Sequence, residues 1–162
     1  HGPERAQAEF FIRDVFASAY AARLGMLMPT LLAQRHAGGG IAAACGLRRA
    51  SGEPLFLERY LDAPVEAAIA ARSFTPARRE SIVEVGNLAI VPPFTAREFI
   101  ASLTRHLLSG EAEWTVFTAV ATLEALPAAE RIAWGTYYDT RPEVLAVRVR
   151  DAALALLGRQ AA

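Results

Sequence analysis

The run Ser81-Ile82-Val83-Glu84-Val85-Gly86-Asn87-Leu88-Ala89-Ile90-Val91 sets a carboxylate, a glycine and an amide into an otherwise apolar stretch. A buried strand normally excludes Glu and Asn, because an unsatisfied amide costs about 1–3 kcal/mol and an unpaired charge costs more. Something must reward them, and a reaction centre is one candidate. Gly86 points the same way, since glycine inside a strand marks a bulge or the close approach of a backbone or ligand. Strict alternation puts Glu84 and Asn87 on opposite faces, and a bulge at Gly86 or Asn87 would turn them toward one cleft. Downstream, Thr95 followed by Glu98 reads as a capping box that opens a helix, whose free N–H groups attract oxyanions.

A second carboxylate, Glu58, lies in Leu55-Phe56-Leu57-Glu58-Arg59-Tyr60, with Arg48 the nearest cation by pattern. Read as a strand, that stretch places Glu58 beside Phe56 and Tyr60. It would form a hairpin with the strand Ile41 to Arg48 across the turn Ala50 to Pro54. In that arrangement Glu58 and Arg48 either serve a site or pair across the hairpin and fix its register.

The remaining elements are those that must position these groups. Phe10, Phe11, Val15, Phe16, Ala19, Tyr20 and Leu24 form a helical stripe within Arg5 to Ala33, broken at Met28-Pro29, with Leu31-Leu32 beginning a further turn. Gly38-Gly39-Gly40 is a loop and not a phosphate cradle, because no Lys-Ser or Lys-Thr follows. A short helix spans Ala63 to Ala71, and Arg72 to Glu80 is a basic connection into the central strand. A helix runs from Ala96 to about Leu108, and Trp114 to Ala119 is a buried strand. Trp134 to Tyr138 and Val144 to Val149 form a closing hairpin, and Asp151 to Leu157 is helical. This order predicts an α/β (α+β) fold in one domain over residues 1–162.

Composition narrows the function. With 53% hydrophobic and 21% charged residues the chain can bury one core, and seventeen basic against seventeen acidic side chains leave no field to attract nucleic acid. Cys45 is the only cysteine, so there is no intrachain disulfide and no cysteine zinc site, and His1, His36 and His106 lack ligand spacing. No metal is expected. No segment reaches the about 20 apolar residues that span a bilayer, and no leader pattern opens the chain, so a cytoplasmic protein is expected.

The combination Gly46-Leu47-Arg48, Leu55-Phe56-Leu57-Glu58-Arg59-Tyr60-Leu61-Asp62 with Pro64 and Glu66, Ile82-Val83-Glu84-Val85-Gly86-Asn87-Leu88-Ala89, Val116-Phe117-Thr118-Ala119 and Trp134-Gly135-x-Tyr137-Tyr138 resembles the thermostable hemolysin family. The resemblance implies a GNAT-like acyltransferase fold, a mixed, splayed central sheet flanked by helices, akin to acyl-homoserine-lactone synthases and N-acyl amino acid synthases. Two departures stand out. The connection from Ala121 to Trp134 is shorter than in relatives, and Pro92-Pro93-Phe94-Thr95-Ala96 lacks the glycines that cradle a coenzyme A pyrophosphate.

What the resemblance implies is transfer of a fatty acyl group from a thioester to a small amine, an amino acid or a derivative. Glu84 would be the base, with Glu58 and Asn87 beside it; the synthases place an arginine where Asn87 stands. Arg48 would bind the acceptor's carboxylate. Ile90, Val91 and Thr95 would meet the pantetheine arm, and Trp114 and Phe117 would line the acyl cleft. The acyl thioester, acyl-phosphopantetheine or acyl-CoA, is a co-substrate and not a resident cofactor. Acyl carrier protein is the favoured donor, and a homodimer fits the fold. The competing readings are a haemolysin acting directly on membranes and a non-catalytic GNAT-like binding module.

Overall fold

The computed structural model describes residues 2–91, 96–119 and 143–157. A five-stranded sheet has the order β1 (Thr30–Arg35), β2 (Ile41–Arg49), β3 (Ile82–Ile90), β4 (Trp114–Ala119), β5 (Glu143–Arg148). With it go helices α1 (Pro3–Tyr20), α2 (Val65–Ser73), α3 (Ala96–Ser109) and α4 (Val149–Leu157), and short 3-10 turns at Phe56–Tyr60 and Arg79–Ser81. The sheet is mixed, because β1 and β2 are antiparallel while β3 and β4 are parallel. The chain divides into two compact units, one holding His1–Leu47 and Gly86–Ala96, the other holding Arg48–Val85 and Arg97–Phe117.

In the first unit, α1 buries Ala8, Ile12 and Phe16, four residues apart, and Ile12 and Phe16 share a core with Leu24, Leu27, Ala44 and Ala89. Its helix stops earlier than the apolar stripe suggests. Ala21 adopts a left-handed φ of 53° and the chain turns away. Guanidinium groups then tie the extended segment to the helix: Arg13 Nη2 donates to the Gly25 carbonyl at 2.6 Å and Arg5 Nη1 to that of Pro29 at 2.7 Å. Leu31-Leu32 therefore belongs to strand β1 and not to a further helical turn. Pro29 cannot continue a helix, and the residues after it find partners on β2.

The chain's hairpin is accordingly β1–β2, turning through Gly38-Gly39-Gly40, with Leu32 opposite Cys45 and Leu31 opposite Gly46. Strand β2 is buried from Ala42 through Leu47, and these residues are mostly small because both faces are covered. Cys45 lies among them, fully buried, and burial pushes its thiol up to about 12. Met28 explains two glycines at once. A Cβ on Gly46 would lie 2.8 Å from Met28 Cβ, and one on Gly86 would lie 2.5 Å from Met28 Cε. Gly86 is thus a place where a side chain, and not the expected backbone or ligand, presses on the strand.

The second unit holds the start of β3 and most of α3 and β4, elements that follow one another as a β-α-β crossover, with Phe99, Leu103 and Leu107 of α3 buried at a four-residue interval. Leu55, Leu57, Val65, Ile69, Ile82, Trp114 and Val116 make its core. The β3–β4 register covers Ile82–Trp114, Val83–Thr115 and Glu84–Val116. Both strands continue beyond the last of these pairs.

The second strand expected at Leu55 to Tyr60 is instead a 3-10 helix, Phe56–Tyr60. Alternation of Leu55, Leu57 and Arg59 mimics a strand, but carboxylates capture the N–H groups that a strand would give to a neighbour. The expected helices at Ala63 to Ala71 and Asp151 to Leu157 are present as Val65–Ser73 and Val149–Leu157. The expected run Trp134 to Tyr138 lies outside the described residues.

Candidate active site

Glu84 lies on β3 opposite Val116 of β4 and is only 3% exposed. Its two oxygens accept different backbone amides: Phe56 N–H donates to Oε2 at 3.0 Å and Leu57 N–H to Oε1 at 2.9 Å. Burial pushes its carboxyl above the usual carboxylate range, against the pull of those amides and of the Arg48 charge, while the Glu58 charge adds to the rise. A carboxylate oxygen has two acceptor sites, so each retains one for a proton or a donor.

Arg48, at the end of β2, makes one long contact, Nη1 to the Pro54 carbonyl at 3.4 Å, and its buried Nε has no hydrogen-bond partner among the described residues. It does not pair with Glu58 across a hairpin, because no such hairpin forms. The cation on Glu58 is Arg79. Arg79 Nη1 lies 2.7 Å from Glu58 Oε1 and Nη2 lies 2.9 Å from Oε2, a two-pronged pair, and Nη1 also lies 2.7 Å from Glu66 Oε2. Leu55 N–H and Val65 N–H complete the set at 2.8 and 3.0 Å. These contacts, the Arg79 hydrogen bonds foremost, bring the Glu58 carboxyl down to about 2.

Glu58, expected beside the reacting groups, is therefore committed to holding secondary structure. Because its pKa is depressed, the stability it contributes is fully present above its ordinary 4.5 and lost as pH falls through about 2. Denaturant midpoints measured across that window are expected to fall with pH in the wild type and to be flatter in Glu58→Gln.

The other expected site residues separate. Asn87 has a φ of 52°, so the irregularity expected at Gly86 or Asn87 falls at the asparagine, which tolerates the left-handed region. Val91 was expected to offer backbone to a ligand, but its N–H donates to the Ala42 carbonyl at 3.1 Å. Ile90 is half-buried on β3. Trp114 is a core residue beside Val116, with the Arg148 guanidinium 5.1 Å from its ring centroid. Phe117 is half-buried one residue past the last β3–β4 pair. Thr95 lies outside the described residues.

The sequence profile described as Thermostable hemolysin matches residues 1–126. The chain belongs to the thermostable hemolysin family. Comparison with curated proteins gives no match. Among solved structures it is similar to TofI in a ternary complex with an inhibitor and MTA, at 18% identity and a TM-score of 0.57 over 98% of this chain and 92% of that one. FeeM, an N-acyl amino acid synthase from uncultured soil microbes, matches at 16% identity and 0.51 over 92% of each chain. The AHL synthase LasI matches at 12% identity and 0.57 over 98% of this chain and 90% of that one. At these identities what the family member shares with them is its fold, a mixed sheet flanked by helices.

Sequence reasoning missed Arg79 and gave Glu66 no role. Arg79 sits in the basic stretch Arg72 to Glu80, where three arginines look alike, and only Arg79 reaches two carboxylates. The available signal was a pair of glutamates, Glu58 and Glu66, each at the head of a short helix and each needing a cation.

Proposed function

We propose that this family member is an N-acyltransferase that moves a fatty acyl group from a thioester to a small amine, with Glu84 as the proton acceptor. The observation that carries this is the Glu84 carboxylate itself: buried, its pKa raised, and set on the central strand opposite Val116 of β4. A raised carboxyl is a better base for an ammonium than an ordinary surface glutamate. The acceptor ammonium gives one proton to Glu84, the freed nitrogen attacks the thioester carbonyl, the C–N bond forms as the C–S bond breaks, and the second proton that nitrogen loses goes to the departing sulfur, which leaves as the thiol.

Arg48, with an unpartnered buried Nε, suits the carboxylate of an amino-acid acceptor. Backbone beyond the Glu84–Val116 pair suits a pantetheine arm bound as an added strand, and the half-buried Phe117 follows that pair on β4. The sequence Pro92-Pro93-Phe94-Thr95 has no glycine for close approach to a pyrophosphate, which favours acyl carrier protein over acyl-CoA as donor.

A second reading is a binding module without turnover. It draws on Glu58, which four donors occupy, and on Glu84, both of whose oxygens hold amides.

The test offers a panel of acyl carrier protein and acyl-CoA thioesters with a mixture of amino acids, and follows thiol release and product mass. Thiol release with an acylated amine is the expected result. Donor binding without release supports the module. Neither, with lysis of red cells in the absence of any donor, returns direct membrane action, although no helix among the described residues is long and apolar enough to cross a membrane.

A further inference from the structure

Three consecutive amides at the head of the Phe56–Tyr60 helix end on carboxylates. Leu55 N–H donates to Glu58, while Phe56 and Leu57 donate to Glu84. These are groups that a helix start leaves without partners, and a five-residue 3-10 helix has little stability of its own. Its position is therefore set by what grips it. On one side the grip is Glu84; on the other it is Glu58, which Arg79 holds by both oxygens.

Arg79 is anchored in turn. Its Nε donates to the Ala50 carbonyl at 2.8 Å, its Nη1 reaches Glu66 on α2, and its backbone begins the turn that leads directly into β3. One guanidinium thus connects the segment after β2, the start of α2 and the Phe56–Tyr60 helix, and it does so five residues before Glu84.

We propose that Arg79 is a positioning residue: by clamping Glu58 it holds the Phe56–Tyr60 helix so that the amides of Phe56 and Leu57 stay on the Glu84 carboxylate. Calling this a device of the active site rests on the acyl-transfer reading. The positioning does not, and its test uses no substrate.

A purely structural ion pair predicts something different. Losing it would loosen the whole unit evenly, whereas losing a positioning residue frees those two amides selectively.

Amide hydrogen exchange on the full chain, read residue by residue by NMR, separates the two. In Arg79→Met, exchange at Phe56 and Leu57 is expected to speed up by about tenfold or more relative to Val83 on β3, the scale of losing a hydrogen bond to a charged acceptor. Arg79→Lys, whose ammonium cannot span both Glu58 oxygens, is expected to fall between wild type and Arg79→Met, and it carries the test if Arg79→Met does not fold. Glu66→Gln, which leaves the clamp on Glu58 in place, is expected to leave the two amides protected.

The second readout is a carbon-13 titration of the Glu84 carboxyl, which the charges of Arg48 and Glu58 also face. Its midpoint is expected to rise in Arg79→Lys as the amides that hold it down let go. Equal acceleration at Phe56, Leu57 and Val83, or unchanged exchange with an unmoved Glu84 midpoint in a folded Arg79→Lys, would overturn the proposal.

Discussion

Glu84→Gln is expected to reduce acyl transfer by about 10²–10⁴-fold, the range a positioned general base supplies. The same change should also lower stability. Glutamine keeps one acceptor oxygen and turns an NH2 toward the other amide, so Phe56 or Leu57 is left buried without an acceptor, at about 1–3 kcal/mol. The two losses must therefore be measured together, transfer by thiol release and stability by denaturant melt. In the wild type, turnover should climb with pH through a midpoint above the ordinary 4.5, because burial favours the protonated acid and the base works only once ionised. A Glu84→Gln protein that folds and transfers acyl groups at the wild-type rate would remove Glu84 from the chemistry and leave it as the cap of a short helix.

Gly46→Ala is expected to destabilise the fold by about 1–3 kcal/mol, the usual cost of overfilling a packed interior. The added methyl would meet Met28 at 2.8 Å from Cβ, an atom fixed to the backbone that cannot swing aside. At Gly86 the conflict is with the terminal Met28 Cε, which can rotate, so Gly86→Ala should cost less although its nominal distance is shorter. Truncating the obstacle tests the cause. Met28→Gly, which removes that Cβ, combined with Gly46→Ala should be more stable than the sum of the single changes predicts, and strict additivity would place the cost elsewhere.

The elements legible in the sequence are those set by local pattern. The central strand, the α3 stripe ending near Leu108 and the buried Trp114 strand each carry a period strong enough to read, and each is present. Glu84 was legible as an anomaly, because a carboxylate in an apolar run demands partners. Its partners were not, since they are backbone amides some 27 and 28 residues away in sequence, and backbone groups leave no mark on residue type.

The same blindness explains the Leu55 to Tyr60 misreading. Its alternation is real, but what decides its conformation is where its N–H groups go. Thr30–Arg35 was hidden for a further reason: β1 is half-buried or exposed throughout, so its apolar residues show neither period clearly. Arg79 was unreadable because three arginines in one segment are equivalent until the fold selects one.

The burial of Cys45 bears on an enzyme that would spend its life among activated acyl groups. A thioester does not distinguish an intended acceptor from any sulfur nucleophile it meets, and a free thiolate on the surface would be acylated by exchange. The only thiol in this chain is sealed inside β2 and remains protonated up to about 12, so at physiological pH it presents no nucleophile. On the acyl-transfer reading, the donor thioester meets no thiolate from this chain.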